Sequence, residues 1–245
     1  MRNDIPRDNI FGEPRPMIVD FVFDDQVVKV FPDMIRRSVP GYDTLITLLG
    51  LFAQEYTQAD SNLYDLGCST GAVSLALRRR IAKGGCRIIA VDNSSAMVAQ
   101  CKQNLALDVS TTPVTLVCDD IQSVPIENAS LVVLNFTLQF LPPAQRLALL
   151  TRIYQGLLPG GVFVLSEKVV FDPQEVQAFQ EAMQLAFKKA NGYSELEISQ
   201  KRTALENVLI PDSIEQHRLR LQQAGFARIQ IWFQAFNFIS IAAVK

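Results

Sequence analysis

The chain has 245 residues, 49% of them hydrophobic, with 23 basic and 25 acidic side chains and a formal net charge of -2. That length suits one large α/β domain with a helical cap, and the charge balance lacks the basic excess of a broad nucleic-acid footprint. No apolar run reaches the roughly 20 residues of a membrane span, and the N-terminus lacks the apolar centre of a signal peptide. Cys68, Cys86, Cys101 and Cys118 form no CxxC pair, so they read as reduced thiols of a cytoplasmic protein, with no metal site.

Residues 1–16 are proline-rich and mixed in charge and are expected to form a flexible arm. The remainder, 17–245, reads as a single domain with helical cap segments at 17–60 and 173–210. The first cap segment is expected to break at Phe31-Pro32 and at Pro40-Gly41, with Asp43 as the N-cap of the helix that follows. Alternation then begins. Strands are predicted at 63–67, 86–92, 113–119, 130–136 and 162–168, with helices near 72–82, 95–107 and 143–157. Apolar strands separated by helices argue for a parallel sheet covered on both faces. The second cap segment holds two helical patterns around NGYS (191–194). A capping box from Asp212 to Glu215 is expected to start a helix that Gly225 ends. His217, the only histidine, is expected on that helix's surface or against a neighbour. Two apolar strands joined tightly around Ala235 close the chain as a hairpin. The fold class is therefore α/β, Rossmann-like, with a seven-stranded, mostly parallel sheet and an antiparallel C-terminal hairpin.

The segment LYDLGCSTGAVSLAL (63–77) is a strand, a glycine turn and a helix start, where a nucleoside cofactor meets bare backbone and the unpaired N–H groups of a helix. A dinucleotide fingerprint requires G-x-G-x-x-G. Here Asp65-x-Gly67-x-x-x-Gly71 lacks the middle glycine that lets a pyrophosphate approach, and no Walker lysine follows. A cofactor without phosphates fits better. Asp92 ends the second strand about 20 residues beyond the glycines, the spacing at which a carboxylate accepts from ribose hydroxyls. Asp119 and Asp120 end the third strand, where either could accept from an adenine amino group. Asn135 ends the fourth.

In this order, these elements resemble the class I S-adenosylmethionine-dependent methyltransferase fold. The strings FPDMIRRSVPGY (31–42), YDLGCSTGA (64–72), NASLVVLNFTLQFL (128–141), ANGYSELEISQKR (190–202) and WFQAFNF (232–238) narrow the resemblance to the carboxy-S-adenosyl-L-methionine synthases. It runs from about residue 21 to the C-terminus. It implies conversion of S-adenosyl-L-methionine and prephenate to carboxy-S-adenosyl-L-methionine and phenylpyruvate. The product would supply a tRNA carboxymethyltransferase that modifies a wobble uridine. The alternative is an ordinary methyltransferase acting on a small molecule or on tRNA. The resemblance also implies a homodimer that binds no nucleic acid directly. It places Tyr42 at the cofactor entrance, Gly67, Cys68 and Ser69 along the methionine portion, and Asp92 and Asn93 at the ribose. Asp120 and Ile121 fall at the adenine and Asn135 near the sulfonium.

Arg202 is the candidate for charge compensation. In the helix from Ser194 the predicted apolar stripe runs Ile198, Leu205, Leu209, and Arg202 falls on it. An inward arginine needs an anion, either a protein carboxylate or a ligand. The resemblance makes Arg202 the residue that binds the new carboxylate, in its own site or a partner's.

Overall fold

The computed structural model describes residues 6–245. After an extended segment, α1 (Asp25–Ser38) starts where the Asp24 carboxylate accepts from the Gln26 and Val27 amides, and it runs unbroken through Pro32. The expected break at Phe31-Pro32 is therefore absent. The one at Pro40-Gly41 is present, because Gly41 takes φ +74° and α2 (Tyr42–Tyr56) starts from it. Asp43 does not cap α2 and instead pairs with the Arg36 guanidinium at 2.8 Å.

The alternating region follows as β1 (Asn62–Leu66), α3 (Ala72–Arg78), β2 (Arg87–Asp92), α4 (Ser95–Ala106), β3 (Val114–Cys118), β4 (Ala129–Asn135), α5 (Pro143–Gly156) and β5 (Leu157–Val170). Ser94 caps α4, its hydroxyl accepting from the Met97 amide. Then come α6 (Gln174–Ala190), α7 (Glu195–Leu205), the short β6 (Asp212–Ser213), α8 (Ile214–Ala224), β7 (Arg228–Ala235) and β8 (Phe238–Val244). The capping box of α8 is Ser213 with Gln216, one residue later than expected. The Asp212 carboxylate is otherwise engaged, pairing with Arg146 at 2.5 Å and Arg220 at 2.6 Å.

The main sheet runs β3-β2-β1-β4-β5-β8-β7, with β6 pairing β5 off that path. Its first five strands are parallel, while β8 is antiparallel to both β5 and β7. Strand order reverses between β1 and β4, and in open α/β sheets such a reversal opens a crevice at the strands' carboxyl ends. β1 and β4 are buried along almost their whole length because helices cover both faces. One core lies under α5 and α8 and includes Leu150, Ile153, Phe163 and Phe226. The other lies under α2 and α3 and includes Leu45, Leu49, Leu77 and Val133. Among the described residues no helix is long and apolar enough to cross a membrane.

A third cluster joins Phe11, Phe21, Val27, Met34, Met97 and Ala204, and so ties the N-terminal segment to α1, α4 and α7. This corrects the expected flexible arm over the described part of residues 1–16. Phe11 and Asp8 are buried there, and Gln200 of α7 donates to the Phe11 and Glu13 carbonyls at 3.0 and 2.8 Å. Tyr193 donates to the Asp8 carboxylate, and Arg37 donates to the Asp8 carbonyl at 3.0 Å. The proline-rich composition concealed two anchors, one apolar and one acidic. His217 is also buried, on the inward face of α8 with Leu221 and Ala224, and burial holds its imidazole down to about 4.

Candidate active site

A cavity of about 660 Å³ opens at the strand reversal, between the sheet and a cover made by α1, α6 and α7. Its floor is the turn after β1. Gly67 and Gly71 sit at φ +83° and +90°, which only glycine adopts without strain. A Cβ on Gly67 would lie 2.3 Å from Thr137 Oγ1, so the missing side chain also lets the loop after β4 close over the turn. A Cβ on Gly71 would lie 2.6 Å from Cys101 Sγ, so that glycine seats α3 against α4. Asp65, under the turn, accepts from Ser74 Oγ at 2.6 Å, and burial pushes its carboxyl up to about 7. It ties β1 to α3 and does not line the cavity.

Asp92 joins the floor to the second strand. Its Oδ2 accepts from the Ser69 amide at 2.8 Å and its Oδ1 from the Ser94 amide at 2.9 Å, so its orientation is set before any ligand arrives. Burial raises its pKa against the pull of those two amides. Each carboxylate oxygen keeps a free lone pair, which two vicinal hydroxyls can use. Asn93 lines the cavity beside it. Of the acidic pair after β3, Asp120 lines the cavity with Ile121, and Asp119 does not. The Asp119 side chain instead accepts from the Asp120 amide at 2.7 Å. The choice that sequence left open between the two is thus made by the turn.

Asn135 ends β4 in the cavity wall, and its Oδ1 is buried without a hydrogen-bond partner among the described residues. An orphaned buried acceptor calls for a donor from a ligand. Tyr42 is buried at the start of α2 and lines the opposite wall, its ring 6.4 Å from Phe136, and burial pushes its hydroxyl pKa up. Cys68 and Ser69 complete the glycine turn, with Ser69 itself at φ +49°. Nine of the ten residues singled out from sequence therefore meet in one cavity: Tyr42, Gly67, Cys68, Ser69, Asp92, Asn93, Asp120, Ile121 and Asn135.

Arg202 is the exception. It is exposed on α7 and does not line the cavity. The buried positions of the helix are Ile198, Gln200, Lys201 and Ala204, and Leu205 at its end, with Val208 and Leu209 beyond it, lines the cavity. The inward cation is Lys201. It donates to Ser38 Oγ at 3.2 Å, pairs with Asp8 at 3.5 Å and sits 5.3 Å from the Tyr193 ring centre. Burial lowers its ammonium to about 8.

Sequence reasoning also missed Glu167, inside β5 three residues before its end. Although buried, it accepts from the amides of Thr137 and Leu138 through Oε1 at 3.2 and 2.8 Å, and from Gln139 through Oε2 at 3.1 Å. Burial raises its carboxyl to about 8 against these three donors. It pins the loop carrying Phe136 and Thr137 over the glycine turn. An acidic residue within a mostly apolar strand was the available signal.

Sheet order, glycine floor and the two cavity-facing carboxylates are those of a Rossmann-like S-adenosylmethionine-binding fold of class I. A methyltransferase domain model matches residues 63–161. Human N-acetylserotonin methyltransferase, solved in complex with SAM, superposes with a TM-score of 0.60 at 18% identity, covering 90% of this chain and 55% of that one. The cyclopropane synthase MmaA2 from Mycobacterium tuberculosis gives 0.57 at 16% identity, covering 77% and 62%. At such identities the agreement concerns the fold.

Full-length sequence relatives are more specific. The carboxy-S-adenosyl-L-methionine synthase of Geobacter metallireducens is 59% identical over 239 residues, spanning 97% of this chain and 98% of its own. That of Pasteurella multocida is 54% identical, spanning 98% and 99%. The chain belongs to the carboxy-S-adenosyl-L-methionine synthase family.

Proposed function

We propose that the protein takes S-adenosyl-L-methionine as a substrate and carboxylates its sulfonium methyl with prephenate as donor, releasing phenylpyruvate. The observation that carries this reading is identity above half, over nearly the whole chain, to relatives named for that product. The cavity is compatible with the nucleoside. Asp92 would hold the ribose hydroxyls, Asp120 and Ile121 the adenine edge and face, and the glycine turn the methionine portion. The Asn135 Oδ1 would accept from the amino acid or lie beside the sulfonium.

The sulfonium supplies an acidified methyl group. In the balanced reaction a carboxyl group leaves the donor ring, and the ring hydroxyl departs as the ring becomes aromatic. The methyl gives up one proton, which leaves with that hydroxide as water, and a carbon–carbon bond joins the methyl to the carboxyl. The protein's share is positioning and the exclusion of water. Phe21, Phe23, Phe31 and Phe140 roof the cavity and suit both tasks. The lone histidine is buried under α8, outside the cavity lining, which agrees with a reaction whose proton leaves on the donor's own fragment.

Arg202 belongs to this reading as the carboxylate ligand of a homodimer. Residues 17–22 lie beside α7, with the Phe21 amide bonded to the Ala204 carbonyl at 2.8 Å, and expose Met17, Val19 and Val22 next to the helix that carries Arg202. An apolar strip of this kind is suited to a second copy, and Arg202 would then serve the neighbouring cavity. The product would feed a tRNA carboxymethyltransferase in the cytoplasm.

Incubation of the purified protein with S-adenosyl-L-methionine, with and without prephenate, tests the reading by mass spectrometry. A product heavier by one carboxyl group, formed only with prephenate, is expected. Methyl transfer to an acceptor with release of S-adenosylhomocysteine would overturn it.

A further inference from the structure

The cavity is electrically divided. Its acidic lining residues, Asp92 and Asp120, both belong to the strand ends β2 and β3. Its basic lining residues are Lys168, Lys188 and Lys201, from β5, α6 and α7, on the other side of the strand reversal. Lys201 is braced by Asp8 and Ser38. Among the described residues, neither Lys168 nor Lys188 has a carboxylate within ion-pair distance of its ammonium or a hydrogen-bond acceptor for it.

Three more observations bear on these two lysines. Lys168 sits on a rigid strand, two residues past Ser166, which is in register with Asn135. That places it on the far side of Asn135 from the nucleoside. Beside them, Gln139 and Gln184 belong to the same lining, where the Gln139 Oε1 accepts from the Lys168 backbone amide at 3.1 Å and the Gln184 Oε1 from the Asn237 side chain at 3.0 Å. The ammonium groups also repel one another. Burial comes first in lowering Lys188, to about 7, followed by the positive charges of Lys201, Lys168 and Arg202. Lys168 is lowered as well, by burial and Arg202, with only Glu181 opposing. Unpaired cations crowded into a half-buried, aromatic-roofed space are costly unless an anion joins them. A bound sulfonium would add another positive charge to the same cavity.

We infer that Lys168 and Lys188 form the binding subsite for the small dicarboxylate donor, with the neighbouring glutamine amides fixing its orientation and Lys201 closing the wall behind it. This deepens the carboxylation reading and rests on it. Two cations suit a donor with two carboxylates, because when one carboxylate leaves with the transferred carbon the other still needs a counter-ion. The subsite also discriminates. A neutral methyl acceptor would leave both ammonium groups without an anion, whereas a dianion brings one negative charge for each of them.

The test compares Lys168→Met, Lys188→Met and Lys188→Arg with the native chain. Readouts are the KM for prephenate, from product formed, and the Kd for S-adenosyl-L-methionine by calorimetry. Each methionine variant is expected to raise the prephenate KM at least tenfold and to leave the nucleoside Kd within threefold, with Lys188→Arg restoring most of the loss. An unchanged KM, or equal weakening of both ligands, would overturn the subsite. Because a substituted lysine can disturb folding, the native chain is also titrated by NMR on its lysine side chains. Saturating prephenate is expected to raise the Lys188 ammonium pKa by at least one unit, and no shift would overturn the inference. If the native chain forms no carboxylated product, the parent reading fails alone, since the NMR titration still reports whether a dicarboxylate seats on these lysines.

Discussion

The two ends of the cavity are built by different means. At the nucleoside end, ligand-facing groups come from strand termini and from backbone: a glycine turn, Asp92 clamped by two amides, and Asp120 in the turn after β3. At the other end they come from long side chains on β5, α6 and α7, held by a cover that includes the N-terminal segment. The first end is preorganised by the parallel sheet and costs little to order on binding. The second carries charge that the protein itself leaves largely uncompensated. A rigid acceptor-lined end suits a ligand common to many proteins of this fold, and an adaptable cationic end suits whatever is particular to one reaction.

The sharpest way to break this contrast is at Gly67. Gly67→Ala puts a Cβ at φ +83° and against Thr137, so loss of nucleoside binding by more than about 100-fold is expected, with a stability cost of about 2–4 kcal/mol. Calorimetry and thermal melting measure the two. Near-native affinity would mean that the turn is softer than its geometry implies. Asp92→Ala comes next, removing the proposed ribose acceptor and the partner of two amides, and should weaken nucleoside binding by about 30-fold or more.

Glu167→Gln probes the link between the ends. Replacing one acceptor oxygen by an amide leaves at least one of the Thr137, Leu138 and Gln139 amides facing a donor, at a cost of about 1–3 kcal/mol. Denaturant melting should show the loss, with affinity for both ligands reduced. Asp120→Ala should weaken nucleoside binding by about tenfold, while Asp119→Ala, which removes only a local turn contact, should change it less than twofold.

A further expected effect concerns pH. Lys188 is lowered to about 7 in the folded, ligand-free chain, against an unfolded value near 10.5. The unfolded chain therefore binds more protons between these values, and stability rises with pH across about 7 to 10.5. The stabilising contribution is complete above the unfolded value and is lost as pH falls through about 7. Lys188→Met should flatten that part of the stability profile, measured by urea melts at successive pH values. An unaltered slope would show that the ammonium is better solvated than its surroundings suggest.

Much of this molecule was legible in one dimension. Strand and helix order, the C-terminal hairpin, the glycine turn, Asp92, the Asp119-Asp120 pair and Asn135 follow from local patterns: short apolar runs, glycine at strand ends, and polar residues just past them; Tyr42, Asn93 and Ile121 came with the family resemblance. Physically, a parallel sheet delivers its strand ends to one edge, so residues at strand ends meet whatever the details of packing. The other end was not legible. Arg202 was read as inward because it lies four residues after Ile198 and three before Leu205, but the buried face runs through Ile198, Lys201 and Ala204, and Arg202 falls on its exposed side. The N-terminal segment was read as loose because prolines and charges dominate it, while its hold on the protein rests on Phe11 and Asp8 meeting partners about 190 positions away. Lys168 and Lys188 carry no local signature at all. They become a site only when β5 and α6 bring them to one cavity and leave them without counter-ions. The sequence by itself determined where the glycine turn and the strand-end carboxylates gather, since strand ends and glycines act locally. Only the tertiary structure decided where charge accumulates beside them, because an unpaired ammonium is defined by everything packed around it.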